Sequence, residues 1–351
     1  MADSVIGIDF GSSGIKLAEV RTVKGISTVL KQAYMPLEPG QIVDGAPDPK
    51  AAGNIAAELK TLLSTEKFTT RDAVMGLNSV DDIFVNRASA PWHAPRDFHS
   101  AIAFDIIADP SLLVGAPEDV IIDAVVFDEF TDPATEKRRL DVLLCGVTSK
   151  LVNTQVEILQ KAGLNPSGAD LSGLASLRAL GKVHRPADNL DVIVDVGRDA
   201  LSVLIHDNGK PYSLTLQTGA AGEAASLEIA EAIQDEDTER ISREKVVFSR
   251  DYRVRRAVDD YCFTATGAIR GAIQSYLDLR KSPASLAGIT LIGGGALLHG
   301  LREAVQDSLG ISTVIGKFDP SIQGDPARYY LGPVLSADYT AAVGLAMGAT
   351  A

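Results

Sequence analysis

The stretch Val5-Ile6-Gly7-Ile8-Asp9-Phe10-Gly11-Ser12-Ser13-Gly14-Ile15-Lys16-Leu17 decides the fold. An apolar run ends on an aspartate, a turn of glycine and small hydroxyl residues follows, and alternation resumes through Ile15, Leu17 and Val20. That pattern predicts a strand, an acidic turn and a returning strand. Lys24-Gly25 then turns the chain before a third strand from Ile26 to Tyr34. The same order recurs in the second half: Val192-Ile193-Val194 runs into Asp195-Val196-Gly197, Leu201 to His206 follows, Asn208-Gly209 offers a primed hairpin turn, and Tyr212 to Gln217 returns. The repeat is one of pattern rather than identity. Two meanders carrying the same acidic turn predict two similar α/β lobes.

Between and after the meanders the chain changes character. Asp48-Pro49 reads as an N-cap with proline at the first helical position, ahead of an apolar stripe of Ile55, Leu59, Leu62 and Leu63. Residues 81–163 break the plan with the proline-punctuated Ala90-Pro91-Trp92-His93-Ala94-Pro95, a helical stretch near Phe98 to Ile107, and strands at Val120 to Phe127 and Leu140 to Val147 separated by a polar loop from Phe130 to Arg139. They read as an inserted subdomain. Residues 226–284 are charged and helical in character. Gly288 to Ile292 then reads as a strand running into Gly293-Gly294-Gly295-Ala296 and a helix from Leu297 to Leu309, a strand–glycine turn–helix order suited to a ligand.

An aspartate at a strand end, followed by glycine and small hydroxyls, can hold a hydrated cation and offer backbone N–H groups to phosphate. Magnesium often binds through one or two carboxylates plus substrate phosphates, so Asp9 and Asp195 would suffice if the lobes face each other, with Lys16 in reach of a phosphate. Taken singly, each turn is also what an ordinary hairpin contains, because Asp and Gly favour turns whatever the function. Two matched acidic turns together with a triple glycine point instead to one nucleotide cleft.

On these residues the chain resembles the PilM family of the actin-like superfamily. Ile8 to Leu17 is similar to the first phosphate motif in its PilM form, Asp195-Val196-Gly197 to the second, and Leu291-Ile292-Gly293-Gly294-Gly295-Ala296 to the adenosine motif. Asp170-Leu171-Ser172-Gly173-Leu174-Ala175 and Tyr339 to Ala346 resemble the two connecting helices. The insert falls where PilM and the division protein FtsA carry their extra subdomain, and the chain stops at Met347 to Ala351 without an FtsA-like tethering helix, so PilM is the nearer relative. The resemblance implies a two-lobed, actin-like, duplicated ribonuclease H-like α/β fold with an inserted FtsA/PilM-type subdomain. It divides the chain into a first lobe at 1–80, 164–187 and 329–351, the insert at 81–163, and a second lobe at 188–225 and 285–328 with a helical part at 226–284.

The resemblance also implies ATP and Mg2+ as cofactors: Gly11, Ser12, Ser13, Gly14, Lys16, Gly197, Arg198, Gly293, Gly294, Gly295 and Ala296 toward the nucleotide, Asp9 and Asp195 toward the metal, and Asp170 to orient a catalytic water, an N-cap role for Asp170 being the alternative. The chain departs from the superfamily pattern at Gly197-Arg198-Asp199-Ala200, at Thr218-Gly219-Ala220-Ala221-Gly222, and at Ser242, where a lysine would help hold adenosine. These departures imply reduced affinity and weak or absent hydrolysis. The implied partner is the short cytoplasmic N-terminal tail of a PilN-like membrane protein, alongside other pilus platform or motor proteins. A sugar or small-carboxylate kinase and a nucleotide-free scaffold are the competing readings.

Composition sets the remaining bounds. A net charge of −13 over 351 residues would repel a phosphate backbone and argues against nucleic-acid binding. The two cysteines, Cys145 and Cys262, sit in apolar contexts typical of buried thiols, which argues against a disulfide framework or zinc site. The five histidines form no ligand spacing, and no Gly-x-Ser-x-Gly elbow accompanies Ser12 or Ser13. Trp92, the only tryptophan, is either a partner anchor or part of the insert's packing. Met1-Ala2-Asp3-Ser4 has no basic region followed by an apolar stretch, and no apolar run approaches the ~20 residues of a spanning helix. The expected address is cytoplasmic, at the inner face of the membrane through partners only.

Overall fold

The computed structural model describes residues 4–113, 119–180, 189–207, 210–217, 219–238, 240–241, 249–280, 285–324 and 333–348. Both meanders form, each extended by parallel strands on one side. In the first lobe the antiparallel strands Ser4–Gly11, Gly14–Val23 and Ile26–Pro36 are followed across the sheet by Asp72–Leu77, parallel to the first strand, and then Asn165–Leu171. In the second lobe Asn189–Val196, Leu201–Asp207 and Lys210–Gln217 repeat the meander, and Ser285–Ile292 and Thr313–Ile315 take the two parallel places. Numbered by lobe, both sheets read 3-2-1-4-5, the duplicated α/β arrangement expected. A short strand, Gln323–Gly324, adds to the outer edge of the first sheet.

Alternation drives this arrangement. In the first strand Ile6, Ile8 and Phe10 face a core with Ile15, Leu17 and the helix Ala52–Thr65, which contributes Ile55, Leu59 and Leu63. The equivalent residues Leu190, Val192, Val194 and Val196 face Tyr261, Ala265 and Ile269 of the long helix Tyr252–Leu279.

The lobes meet over two crossing helices, Ser172–Ala179 and Pro333–Gly348. The crossing is close because Gly344 lies directly over the Ala175 carbonyl, while Gly7 lies against the Ala342 carbonyl on the other side of the same helix. A Cβ at either position would collide with backbone. The small residues anticipated at the connecting helices therefore serve close approach.

The insert is a three-stranded antiparallel sheet with Arg138–Thr148 in the centre, Ile83–Pro91 on one side and Val120–Thr131 on the other. The helix Phe98–Ala108 seals it with Phe98, Ile102 and Ile106. Trp92 packs against this core, its Nε1–H donates to Glu129 at 2.9 Å, and Arg138 stacks on its ring at 4.0 Å. Packing within the insert is thus what Trp92 does here.

Three local expectations are corrected. Asp48 does not cap the first helix: the helix begins at Ala52 with Ala51 at its N-cap, while the Asp48 carboxylate accepts from Lys50 N. The predicted polar loop shrinks, because the insert strands run on through Thr131 and from Arg138, leaving a turn closed by Asp132 N donating to the Lys137 carbonyl. The segment from Leu297 is not continuous helix. Gly294–Leu297 is one 3-10 turn, and the α-helix Leu301–Leu309 starts only after Gly300, whose φ of 94° interrupts the run. The turn at Asn208-Gly209 and the departures at Thr218 and Ser242 lie outside the described residues. Cys262 is buried, Cys145 half-buried, and both are free thiols. Among the described residues no helix is long and apolar enough to cross a membrane.

Candidate functional site

A cavity of about 480 Å³ lies between the lobes, and both acidic turns open into it. Their strands end at the same edge of each sheet, so the twofold repeat brings Asp9 and Asp195 to face one another. Asp9 Oδ1 accepts from the Ser172 hydroxyl at 3.0 Å, which ties the first turn to the connecting helix. Lys16 stands opposite Asp9 in the antiparallel ladder, and side chains at such paired positions share a face. Its ammonium reaches Asp338 Oδ1 of the C-terminal helix at 2.6 Å.

Three carboxylates thus surround one buried ammonium. Burial raises the Asp9 carboxyl above its ordinary value, Asp338 adds to the rise, and Lys16 and the Ser172 hydroxyl oppose it. Burial likewise pushes Asp195 up to about 6, with Asp9 and Asp338 reinforcing and Lys16 opposing. For Lys16, burial acts to lower the pKa, but Asp338, Asp9 and Asp195 outweigh it and hold the ammonium above the usual lysine value. One cation against three anions leaves the floor of the cleft short of positive charge. Hard oxygen donors with that deficit suit a hydrated magnesium ion.

The second turn is built differently. Gly197 N donates to the Ala200 carbonyl, and the helix Gly222–Ile233 is stitched to the turn by Gly222 N to the Gly197 carbonyl and Glu223 N to the Arg198 carbonyl, both at 2.8 Å. Arg198 swings back to Glu223 Oε2 at 3.2 Å and lies 3.8 Å from Asp199 Oδ1. Asp199 in turn accepts from Asp44 N of the first lobe at 3.1 Å, joining the two lobes at the cleft rim. The aspartate that departs from the superfamily pattern therefore lines the cleft as an interlobe contact.

The glycine turn completes the lining. Gly293 has a φ of 80°, and a Cβ there would strike Asp195 and the Val196 carbonyl, so a left-handed glycine is required for the strand to reach the cleft. Its N–H donates to the Ala337 carbonyl at 2.9 Å, fixing the turn to the C-terminal helix.

Of the residues singled out from sequence, Asp9, Gly11, Ser12, Ser13, Lys16, Asp195, Gly197, Arg198, Gly293, Gly294 and Gly295 all line the cavity. Gly14 lies beside it beneath the Tyr34 ring, and Ala296 is buried under its turn. Asp170 is elsewhere, ion-paired to Arg178 at 2.5 Å and accepting from Leu171 N at 2.7 Å, while Leu171 holds the N-cap position of the helix that follows. Asp338 was missed. Its signal was an acidic residue immediately before the second connecting helix as read from Tyr339, one residue short of the true lining.

Duplicated 3-2-1-4-5 sheets, facing acidic turns and a glycine turn over crossed helices define an actin-like protein. Solved structures agree. The PilM-PilN type IV pilus biogenesis complex matches with a TM-score of 0.84 at 21% identity over 100% of both chains. The ethanolamine utilization protein EutJ of Carboxydothermus hydrogenoformans matches at 0.58, with 16% identity over 98% of this chain and 89% of that one. MreB 5 of Spiroplasma citri bound to AMPPNP follows at 0.51, with 13% identity over 90% and 92%. A family model for the type IV pilus assembly protein PilM matches residues 7–350, and the chain belongs to that family. Comparison with curated proteins found no match.

Proposed function

We propose that this type IV pilus assembly protein binds ATP with Mg2+ in the interlobe cleft and captures the N-terminal tail of a PilN-like membrane protein, and so works at the inner face of the membrane through its partners. The observation that carries the nucleotide reading is the convergence of Asp9, Lys16, Asp195 and Asp338 on one cavity with the turns at Gly11-Ser12-Ser13 and Gly293-Gly294-Gly295. Asp9 and Asp195 would hold the hydrated metal. Lys16 and the backbone of the two phosphate turns would take the phosphates, and the glycine turn would take the adenosine. Bound Mg2+ would supply the missing positive charge. With Arg198 held by Glu223 and Asp170 by Arg178, the cleft is furnished for binding more than for turnover.

In the division of labour we assign, residues 1–80, 164–187 and 329–351 form the first lobe, 188–328 the second, and 81–163 the partner-gripping insert. An extended tail lying along the insert and the first lobe would gain main-chain bonds and side-chain pockets. The insert offers an edge strand, Val120–Thr131, with Ile121, Val125 and Val126 exposed.

Asp9→Ala tests the cleft. Calorimetric titration with ATP and Mg2+ should show at least a tenfold loss of affinity, about 1.4 kcal/mol, in a variant that still folds. Unchanged affinity removes Asp9 from the site. Titrating a PilN-like N-terminal peptide against the intact protein, with and without ATP, tests the partner separately.

A further inference from the structure

The long helix Tyr252–Leu279 buries one face, through Tyr261, Ala265, Ile269 and Ile273, against the second-lobe sheet. Its opposite face is exposed among the described residues, and within a charged and polar surround it carries one large apolar side chain. Phe263 is 81% exposed. Gly267 and Gly271 follow at one-turn intervals, and a Cβ at either meets no atom of the described residues within 4 Å, so no contact among them calls for glycine there. Glycine weakens a helix interior relative to alanine, and both positions are exposed. A knob beside a hollow on one helix face lets a second backbone approach closely.

The sequence along this face specifies the occupant. Arg256, Asp260, Phe263, Gly267, Arg270 and Gln274 are spaced by four, three, four, three and four residues, the alternation of a two-helix seam. Laid parallel on itself, the seam sets Asp260 against Asp260 and Arg270 against Arg270. Laid antiparallel about a twofold axis, it sets Phe263 over Gly267, Asp260 against Arg270 and Arg256 against Gln274, each contact made twice. Arg270 bonds Ser308 through one terminal nitrogen, which leaves other guanidinium donors for Asp260. We propose that this face pairs two copies of the chain in an antiparallel, twofold-symmetric dimer, with Phe263 of each copy seated over Gly267 of the other. A closed, self-complementary contact of this kind stops at two copies. It lies on the second lobe and depends on neither the nucleotide nor the tail.

The test is sedimentation of the full chain from roughly 1 to 100 µM, since a single helix pair buries less than the ~1,600 Å² of a standard interface and should dissociate in the micromolar range. A concentration-dependent dimer is expected. Gly267→Leu, which fills the hollow with a better helix former, should weaken it at least about tenfold without lowering the melting temperature. Asp260→Arg should weaken it similarly, and adding Arg270→Asp should restore it to within about threefold by re-forming both pairs with signs exchanged. A chain that stays monomeric at 100 µM overturns the proposal, as does a dimer indifferent to Gly267→Leu. Failure of the folded double variant to restore association overturns the antiparallel register.

Discussion

The two acidic turns occupy matching places in matching sheets, yet they are furnished oppositely. In the first, the ladder position facing Asp9 holds Lys16, and the aspartate also has the Ser172 hydroxyl. In the second, the position facing Asp195 holds Ser202, and the nearby cation, Arg198, is turned away to Glu223. The first turn therefore supplies the charge of the cleft and the second supplies fixed backbone and an under-compensated carboxylate. Duplication gave the protein two equivalent scaffolds, and the side chains then divided the work. One lysine now serves three acids.

That division predicts unequal responses to equivalent substitutions. Lys16→Met should weaken binding of ATP with Mg2+ by about a hundredfold, near 2.7 kcal/mol, because in the proposed site the phosphate would lose the Lys16 ammonium and the three carboxylates their counter-charge. Arg198→Met should change the same affinity by no more than about threefold, since its guanidinium is committed to Glu223. Calorimetry on both variants decides it: equal losses would show that the two turns contribute charge alike.

The buried carboxylate of the second turn also bears on stability. With its pKa pushed up to about 6, folded Asp195 stays protonated while the unfolded chain ionises near the ordinary 3.8. The folded state binds more protons in that window, so stability falls as pH rises from about 4 through 6, and the penalty is complete above it. Asp195→Asn removes the penalty. It should raise stability at pH 7 by roughly 1–2 kcal/mol, discounted for the open side of the cleft, and leave it unchanged near pH 4. Magnesium-dependent binding should be lost at the same time, the usual exchange between stability and function. Melting curves at the two pH values check the first claim, and a gain equally large at pH 4 would contradict it.

The sequence made the turns legible because both depend on local chemistry. Alternating Val and Ile specify the strands, and the small residues that follow each aspartate mark the turns, Ser12-Ser13 in the first meander and Gly197 to Ala200 in the second. Asp338 was hidden for the opposite reason, since it stands on a helix whose apolar small-residue pattern draws attention past it, and only the crossing over Ser172–Ala179 carries it to Lys16. Asp170 was equally hard to place, because nothing near it in the chain reveals that Arg178, two helical turns on, would capture its carboxylate. Strand ends and turns follow from nearest neighbours, whereas the charge balance of the cleft is set by three segments far apart in the chain.

The smallest expected effect concerns Tyr34, which faces Lys16 on the third strand, where the second lobe has Leu216 facing Ser202. The Tyr34 hydroxyl donates to the Ser13 carbonyl at 2.5 Å, and its ring lies over Gly14. The first turn is thus braced by a side chain of its own meander. Tyr34→Phe keeps the ring and loses the hydrogen bond at a partly exposed site, so it should lower stability by about 0.5–1 kcal/mol. The ring itself explains the glycine: a methyl group at residue 14 would collide with it. Gly14→Ala should therefore cost roughly 1–3 kcal/mol in the wild-type background and markedly less in Tyr34→Ala, where the space is open. Chemical denaturation of the four proteins of that cycle measures the coupling. Strict additivity would mean that Gly14 is there for its backbone alone, and that the first turn is braced no differently from the second.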